Sequence, residues 1–151
     1  MEIVMQTQWV VVADSSRARF FEAQGNLESL VELEDLLSPA GRMDETELRH
    51  DAKGRFYGKG EREQAHTAEP AVSAKTHAAQ QFSKAVMQRL EQACEKKRYD
   101  RLILVAPPHF LGQLHKQLSQ RVMQRITQEL PLDISGLSAT QIGEHLRRHR
   151  R

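Results

Sequence analysis

The chain has 151 residues, with 22 Lys and Arg against 20 Asp and Glu, one Cys and 39% hydrophobic residues. That length suits a single domain with one sizeable core. The longest apolar runs, Trp9 to Ala13 and Leu102 to Pro108, fall far short of the roughly 20 residues a membrane-spanning helix needs. One Cys excludes an internal disulfide framework and any Cys-rich zinc site. The first residues, Met1-Glu2-Ile3-Val4, lack the basic and then apolar pattern of a secretory signal, so the expectation is a cytoplasmic protein. The net charge of +2 hides a division: residues 1–37 carry −5 and residues 38–151 carry +7. A chain so divided can present a basic surface to a polyanion while its total charge stays low.

In chain order, Gln8 to Ala13 is β-branched and aromatic on both faces, which predicts a central strand buried on two sides. Asp14-Ser15-Ser16 has turn chemistry. Arg17 to Ala23 alternates, with Ala18 and Phe20 opposing Arg19 and Phe21. Gly25-Asn26 is a second turn, and Leu30 to Leu36 alternates again. Three strands joined by tight turns read as an antiparallel meander. From about 40 to 75 the periodicity vanishes among charges and five Gly or Pro, and a loop of that length in a compact domain is either functional or disordered. From Thr76 onward, Ala79, Phe82, Val86, Leu90 and Ala93 recur at helical spacing. Arg101 to Ala106 predicts a second buried strand. Leu111, Leu114, Leu118, Val122 and Ile126 predict one long helix from Phe110 to Gln128. Leu130 to Ile134 predicts a fifth strand, placed at an edge by Pro131. Ser138 and Gln141 form a capping-box pattern before a short helix with Ile142 and Leu146. The chain closes on a basic tail, 147–151. The fold class is therefore α/β, one domain over 1–151: a mixed five-stranded sheet made of a three-strand meander followed by an α-β-α-β-α unit.

The same element order occurs in ribonuclease H-like nucleases, which hold two metals with several carboxylates. Here Asp14 ends the first strand, but the second buried strand ends in Ala106-Pro107-Pro108-His109 and residues 110–128 contain no acid. One carboxylate cannot hold two metals, and Asp14 reads as a turn residue. His145 and His149 share a helix face, but arginines surround them and oppose a cation. His109 and His115 are too far apart to share a face. Ser15-Ser16 lacks a nucleophile elbow, Cys94 sits beside the helix's apolar stripe as a packed hydrophobe, and Gly58-Lys59-Gly60 is too short for a phosphate loop. No catalytic residue, metal or cofactor is expected.

The loop retains one distinctive stretch, Lys53-Gly54-Arg55-Phe56-Tyr57-Gly58-Lys59-Gly60. Cations meet phosphates, aromatics stack on unpaired bases, and glycines allow close backbone approach. Lys53, Arg55, Phe56, Tyr57 and Lys59 are therefore candidate RNA-binding residues, and the Arg147 to Arg151 tail is a second basic candidate. The flanking acids Asp44, Glu45, Glu47, Asp51, Glu61 and Glu63 fit equally a solvated surface loop.

Two blocks carry a family resemblance: Trp9-Val-Val-Val-Ala-Asp-Ser-Ser-Arg-Ala-Arg-Phe-Phe-Glu22, and Tyr99-Asp-Arg-Leu-Ile-Leu-Val-Ala-Pro-Pro-His-Phe-Leu-Gly-Gln-Leu114. Together they resemble the bacterial host attachment protein family, with His115 where that family typically has Arg. The element order is more distantly similar to the middle domain of archaeal and eukaryotic class 1 peptide release factors and of Pelota. In release factors the matching loop carries Gly-Gly-Gln; here it reads Gly58-Lys59-Gly60-Glu61 and Gly-Gly-Gln occurs nowhere. The resemblance thus implies a release-factor-like domain without hydrolytic activity, with the ribosome or a structured RNA as partner. The competing implication, from the family's name, is a cytoplasmic protein-interaction module affecting attachment. Its docking face would be the acidic residues Glu28, Glu32, Glu34 and Asp35.

Overall fold

A strand with no polar face has to be covered on both sides, and β1 (Gln8–Asp14) lies at the centre of the sheet, with Trp9 to Ala13 all buried. The computed structural model describes residues 6–39 and 74–149. β1 pairs antiparallel with β2 (Arg17–Gln24), which pairs antiparallel with β3 (Ser29–Leu37). On its other side β1 pairs parallel with β4 (Arg101–Val105), and β4 pairs parallel with β5 (Ile126–Leu130). The sheet is mixed and five-stranded, in the order β3-β2-β1-β4-β5.

Alternation along the strands sorts the core into two layers. Trp9, Val11, Ala13, Phe20, Leu102 and Leu104 face one side, under the helix α1 described over residues 74–95. That helix contributes Phe82, Val86, Leu90 and Ala93 at the expected spacing. Phe82 stacks on Phe110 with centroids 6.0 Å apart, joining α1 to α2 (Pro108–Lys116). Cys94 is buried in this layer, as its place beside the stripe implied. Val10, Val12, Phe21, Ile103 and Val105 face the other side, where Ile142 and Leu146 of the last helix close the layer. That helix starts as its capping box predicts: Ser138 Oγ accepts from Gln141 N, and Gln141 Oε1 accepts from Ser138 N, each at 3.1 Å.

The long helix expected from Phe110 to Gln128 is not formed. α2 ends at Lys116, and Ser119 then caps a separate short helix, α3 (Gln120–Met123), by accepting from Val122 N at 3.2 Å. A serine side chain that satisfies a new helix start competes with continuing the old helix. Leu118 and Ile126 still pack on the α1-side core, so the apolar period was real but is met by three elements rather than one. The fifth strand is Ile126–Leu130, not the expected Leu130 to Ile134. Pro131 has no amide hydrogen for the ladder, so the strand ends before it instead of containing it. The last helix is accordingly α4 (Ala139–Arg148).

In this arrangement the carboxyl ends of the parallel strands and the starts of α1, α2 and α4 share one edge of the sheet. The amino ends of β1, β4 and β5 and the C-terminal turns of α1 and α4 share the opposite edge. The described chain leaves β3 at Pro39 and resumes at residue 74, both on the carboxyl side, since Leu37 pairs with Arg17 and Arg17 with Asp14.

Candidate functional site

At the carboxyl edge the polar side chains are engaged with one another. Asp14 Oδ1 accepts from Ser16 N at 2.8 Å and from Ser16 Oγ at 3.0 Å, the turn role its sequence context implied. Its other oxygen accepts from Ser135 Oγ at 2.7 Å, tying β1 to the loop after β5. Arg19 is 8% exposed and completes the tie. It grips Glu32 with two bonds of 3.0 and 2.9 Å and donates to the carbonyls of Ser135 and Leu137 at 2.8 and 2.6 Å. Its guanidinium also lies 5.1 Å from the centre of the Phe21 ring. His109 is exposed at the start of α2, and His115 Nε2 lies 2.6 Å from Glu129 Oε1. Among the described residues no group of three or more His, Cys, Asp or Glu is arranged to hold a metal.

The acidic meander is likewise engaged from within. Glu32 is held by Arg19, Asp35 by Arg17 at 3.0 Å, and Glu34 by Arg89 of α1. Three of the four acids of the expected docking face therefore have arginine partners in the same chain, and only Glu28 of the set has no ion-pair partner among the described residues.

The amino edge is built differently. α1 ends in a Schellman turn, in which Lys97 N donates to Cys94 O and Arg98 N to Ala93 O, each at 2.9 Å. Lys97 occupies the left-handed position of this turn, φ 59°, where glycine is the usual residue. Arg98 then sits 5.6 Å over the Trp9 ring, which stacks on Tyr99 at 5.0 Å. Burial pushes the Tyr99 hydroxyl above its ordinary pKa, and the group donates to Leu90 O at 2.8 Å. Arg101 opens β4 opposite Gln8, and Arg125 O accepts from Leu102 N at the entry to β5. α4 arrives from the other face. Arg147 donates to Leu27 O at 2.7 Å, and Gln128 Nε2 donates to His149 O at 2.6 Å.

Lys96, Lys97, Arg98, Arg101, Arg125, Arg147 and Arg148 thus come from three separate stretches of sequence to one edge. None makes an ion pair with a described acid, whereas Arg17, Arg19, Arg89 and Arg121 all do. The nearby acids are occupied in part: Asp100 Oδ2 accepts from Thr7 N at 2.9 Å, and Glu95 lies 4.0 Å from Arg121. Arg125 Nε is the one buried side-chain donor without a partner among the described residues. Beside this edge, between β5, the β2–β3 turn and the end of α4, an open groove of about 690 Å³ is bordered by Gln8, Asn26, Arg101, Gln128 and His149.

A family model described as "Protein required for attachment to host cells" matches residues 9–146. The chain belongs to this family. No curated protein matches it. Among solved structures, a Ppx/GppA phosphatase of Aquifex aeolicus matches with a TM-score of 0.38 and 12% identity over 83% of this chain. The match spans 35% of that protein's length and is too loose to define the fold.

Of the residues the sequence singled out, Lys53, Arg55, Phe56, Tyr57 and Lys59 lie outside the described residues, as do Arg150 and Arg151. From the basic tail, Arg147 and Arg148 are placed at the amino edge. The sequence reading missed Lys96, Lys97, Arg98, Arg101 and Arg125. A signal for them existed, since in alternating helices and parallel strands every helix end and every strand start falls on one edge. Basic residues at those junctions therefore accumulate in space. Basic residues at a helix end also complement the helix dipole by about a few tenths of a kcal/mol, which accounts for lysines at the end of α1 but not for Arg101 or Arg125 at strand starts.

Proposed function

We propose that this member of the host attachment family is a non-enzymatic binder of structured RNA that acts in the cytoplasm, with the ribosome as its place of action. The observation that carries the reading is the convergence of seven basic residues without described acidic partners on the amino edge. Phosphate backbones reward that surface without requiring a catalytic centre. The engagement of Asp14 by Ser16 and Ser135 supports binding rather than chemistry at the carboxyl edge, and no cofactor is invoked. The order of elements, a three-strand meander and then α-β-α-β-α with α2 and α3 in place of one helix, supports the release-factor-like and ribonuclease H-like reading of the fold, and with it the ribosome. Lys53, Arg55, Phe56, Tyr57 and Lys59 would form a second contact.

The test is co-sedimentation with ribosomes at low and moderate salt. Replacing Lys96, Lys97 and Arg148 together by Glu should weaken association and reduce the slope of log affinity against log salt by about 2. The same reversal at Lys53, Arg55 and Lys59 measures the second contact. An edge variant that still co-sediments like the native protein would overturn the reading. The family's description favours a second reading, an interaction module that affects attachment through a protein partner. Partners that survive nuclease treatment would establish that reading instead.

A further inference from the structure

The basic edge lacks the parts that hold unpaired bases. Binders of single strands stack successive bases on exposed aromatic rings, and every aromatic side chain among the described residues is buried: Trp9, Phe20, Phe21, Phe82, Tyr99 and Phe110. Even Trp9, at the start of β1, is covered by Arg98 and stacked on Tyr99. What the edge presents is charge. Lys96, Lys97, Arg101 and Arg148 are exposed, and their side chains make no hydrogen bond or ion pair among the described residues. Glu28, Glu95 and Asp100 lie among these cations. The edge is therefore no continuous positive track for a flexible strand, and it favours phosphates that arrive already spaced.

The cations are also divided between the two faces of the sheet. Ala93 and Cys94, which lead into Lys96, Lys97 and Arg98, belong to one core layer, and Leu146, which leads into Arg147 and Arg148, belongs to the other. Arg101 opens β4 in the sheet between them. With packed layers about 10 Å apart, the two helix ends stand about 20 Å from one another across the sheet. One phosphate chain tracks one row of cations. Two rows held apart by a rigid sheet suit two chains held apart by base pairs, as on the two rims of the wide, shallow minor groove of double-stranded RNA. We propose that the amino edge binds double-helical RNA, with the end of α1 on one backbone and the end of α4 on the other. The inference rests on the RNA-binding reading above and narrows it to paired segments, recognised by shape rather than by base sequence.

Fluorescence anisotropy separates the two levels, with a labelled RNA hairpin of about 12 base pairs set against an oligouridine of equal nucleotide count, which cannot pair. The protein carries Phe56→Ala and Tyr57→Ala, so that stacking by these two residues does not enter. At equal salt the hairpin should bind about tenfold more tightly than oligouridine. Adding Lys96→Gln with Lys97→Gln, or separately Arg148→Gln, should weaken hairpin binding about threefold in each case and oligouridine binding less, because only the paired form uses both rows. Oligouridine binding as tightly as the hairpin or more so, or a hairpin affinity that ignores either row, would overturn the duplex assignment and leave the RNA reading standing. Binding to neither RNA would overturn the RNA reading itself, and the duplex assignment with it.

Discussion

The two edges of the sheet are made from similar residue types and used in opposite ways. At the carboxyl edge, Asp14, Arg17, Arg19, Glu32, Asp35 and Ser135 hold each other, and Arg19 alone makes four hydrogen bonds with Glu32, Ser135 and Leu137. At the amino edge none of seven basic residues makes an ion pair with a described acid; Asp100 and Glu95 have other contacts, and Glu28, beside Arg147, has no ion-pair partner among the described residues. Paired charges fix a structure because removing one partner strands the other, while unpaired surface charges contribute little to stability and remain open to a partner outside the chain. Charge count along the chain therefore says less than charge pairing in space. The −5 of residues 1–37 already counts Arg17 and Arg19, which pair with Asp35 and Glu32, and Arg89 of α1 adds one partner from outside that stretch, to Glu34.

The contrast predicts that substitutions at the carboxyl edge change stability and those at the amino edge change binding. The largest expected effect is Arg19→Met. Two carbonyls that face a buried guanidinium lose their donor, and Glu32 loses its partner, which should cost about 3 kcal/mol in urea denaturation at neutral pH. Arg19→Lys restores the charge but not the planar fork, and should recover less than half of the loss. Asp14→Ala follows, at about 1–2 kcal/mol, because it opens both the turn at Ser16 and the bond to Ser135. A native-like urea midpoint for either variant would break the comparison. Arg101→Ala, at the other edge, should leave the midpoint within about 0.5 kcal/mol and weaken RNA binding about threefold, with a shallower salt dependence.

The sheet, the two-sided burial of β1, the capping box and the stripe on α1 were legible because each follows from local spacing and cap chemistry. The division of residues 110–130 was not. Leu111, Leu114, Leu118, Val122 and Ile126 satisfy a helical period as well as they satisfy three short elements on one face. Only the caps at Ser119 and the ladder to β4 decide between them. The amino edge was invisible for a different reason. Lys96 and Arg148 are far apart in sequence and belong to opposite faces of the sheet, and their place at one edge follows from the topology of two helices and three strands rather than from any run of charge. Conversely, the alternation of Arg17 to Ala23 says only that Arg19 shares a side with Phe21, and the tertiary neighbours Glu32 and Ser135 make Arg19 a buried structural tie.

The smallest predicted effect is the sharpest test of why the amino edge is basic. Lys97 holds a left-handed backbone at the end of α1, φ 59°, a conformation that costs a side-chain-bearing residue about 1 kcal/mol relative to glycine. If stability alone set this position, glycine would serve better, since the Schellman bonds from Lys97 N and Arg98 N need only the backbone. Lys97→Gly should therefore raise stability by about 0.5–1 kcal/mol while reducing RNA binding and its salt dependence by roughly one phosphate contact. Opposite signs in the two measurements would show a charge retained for a partner at the expense of the fold. A gain in stability with unchanged binding would reduce Lys97 to a dipole-complementing helix end and remove it from the interface.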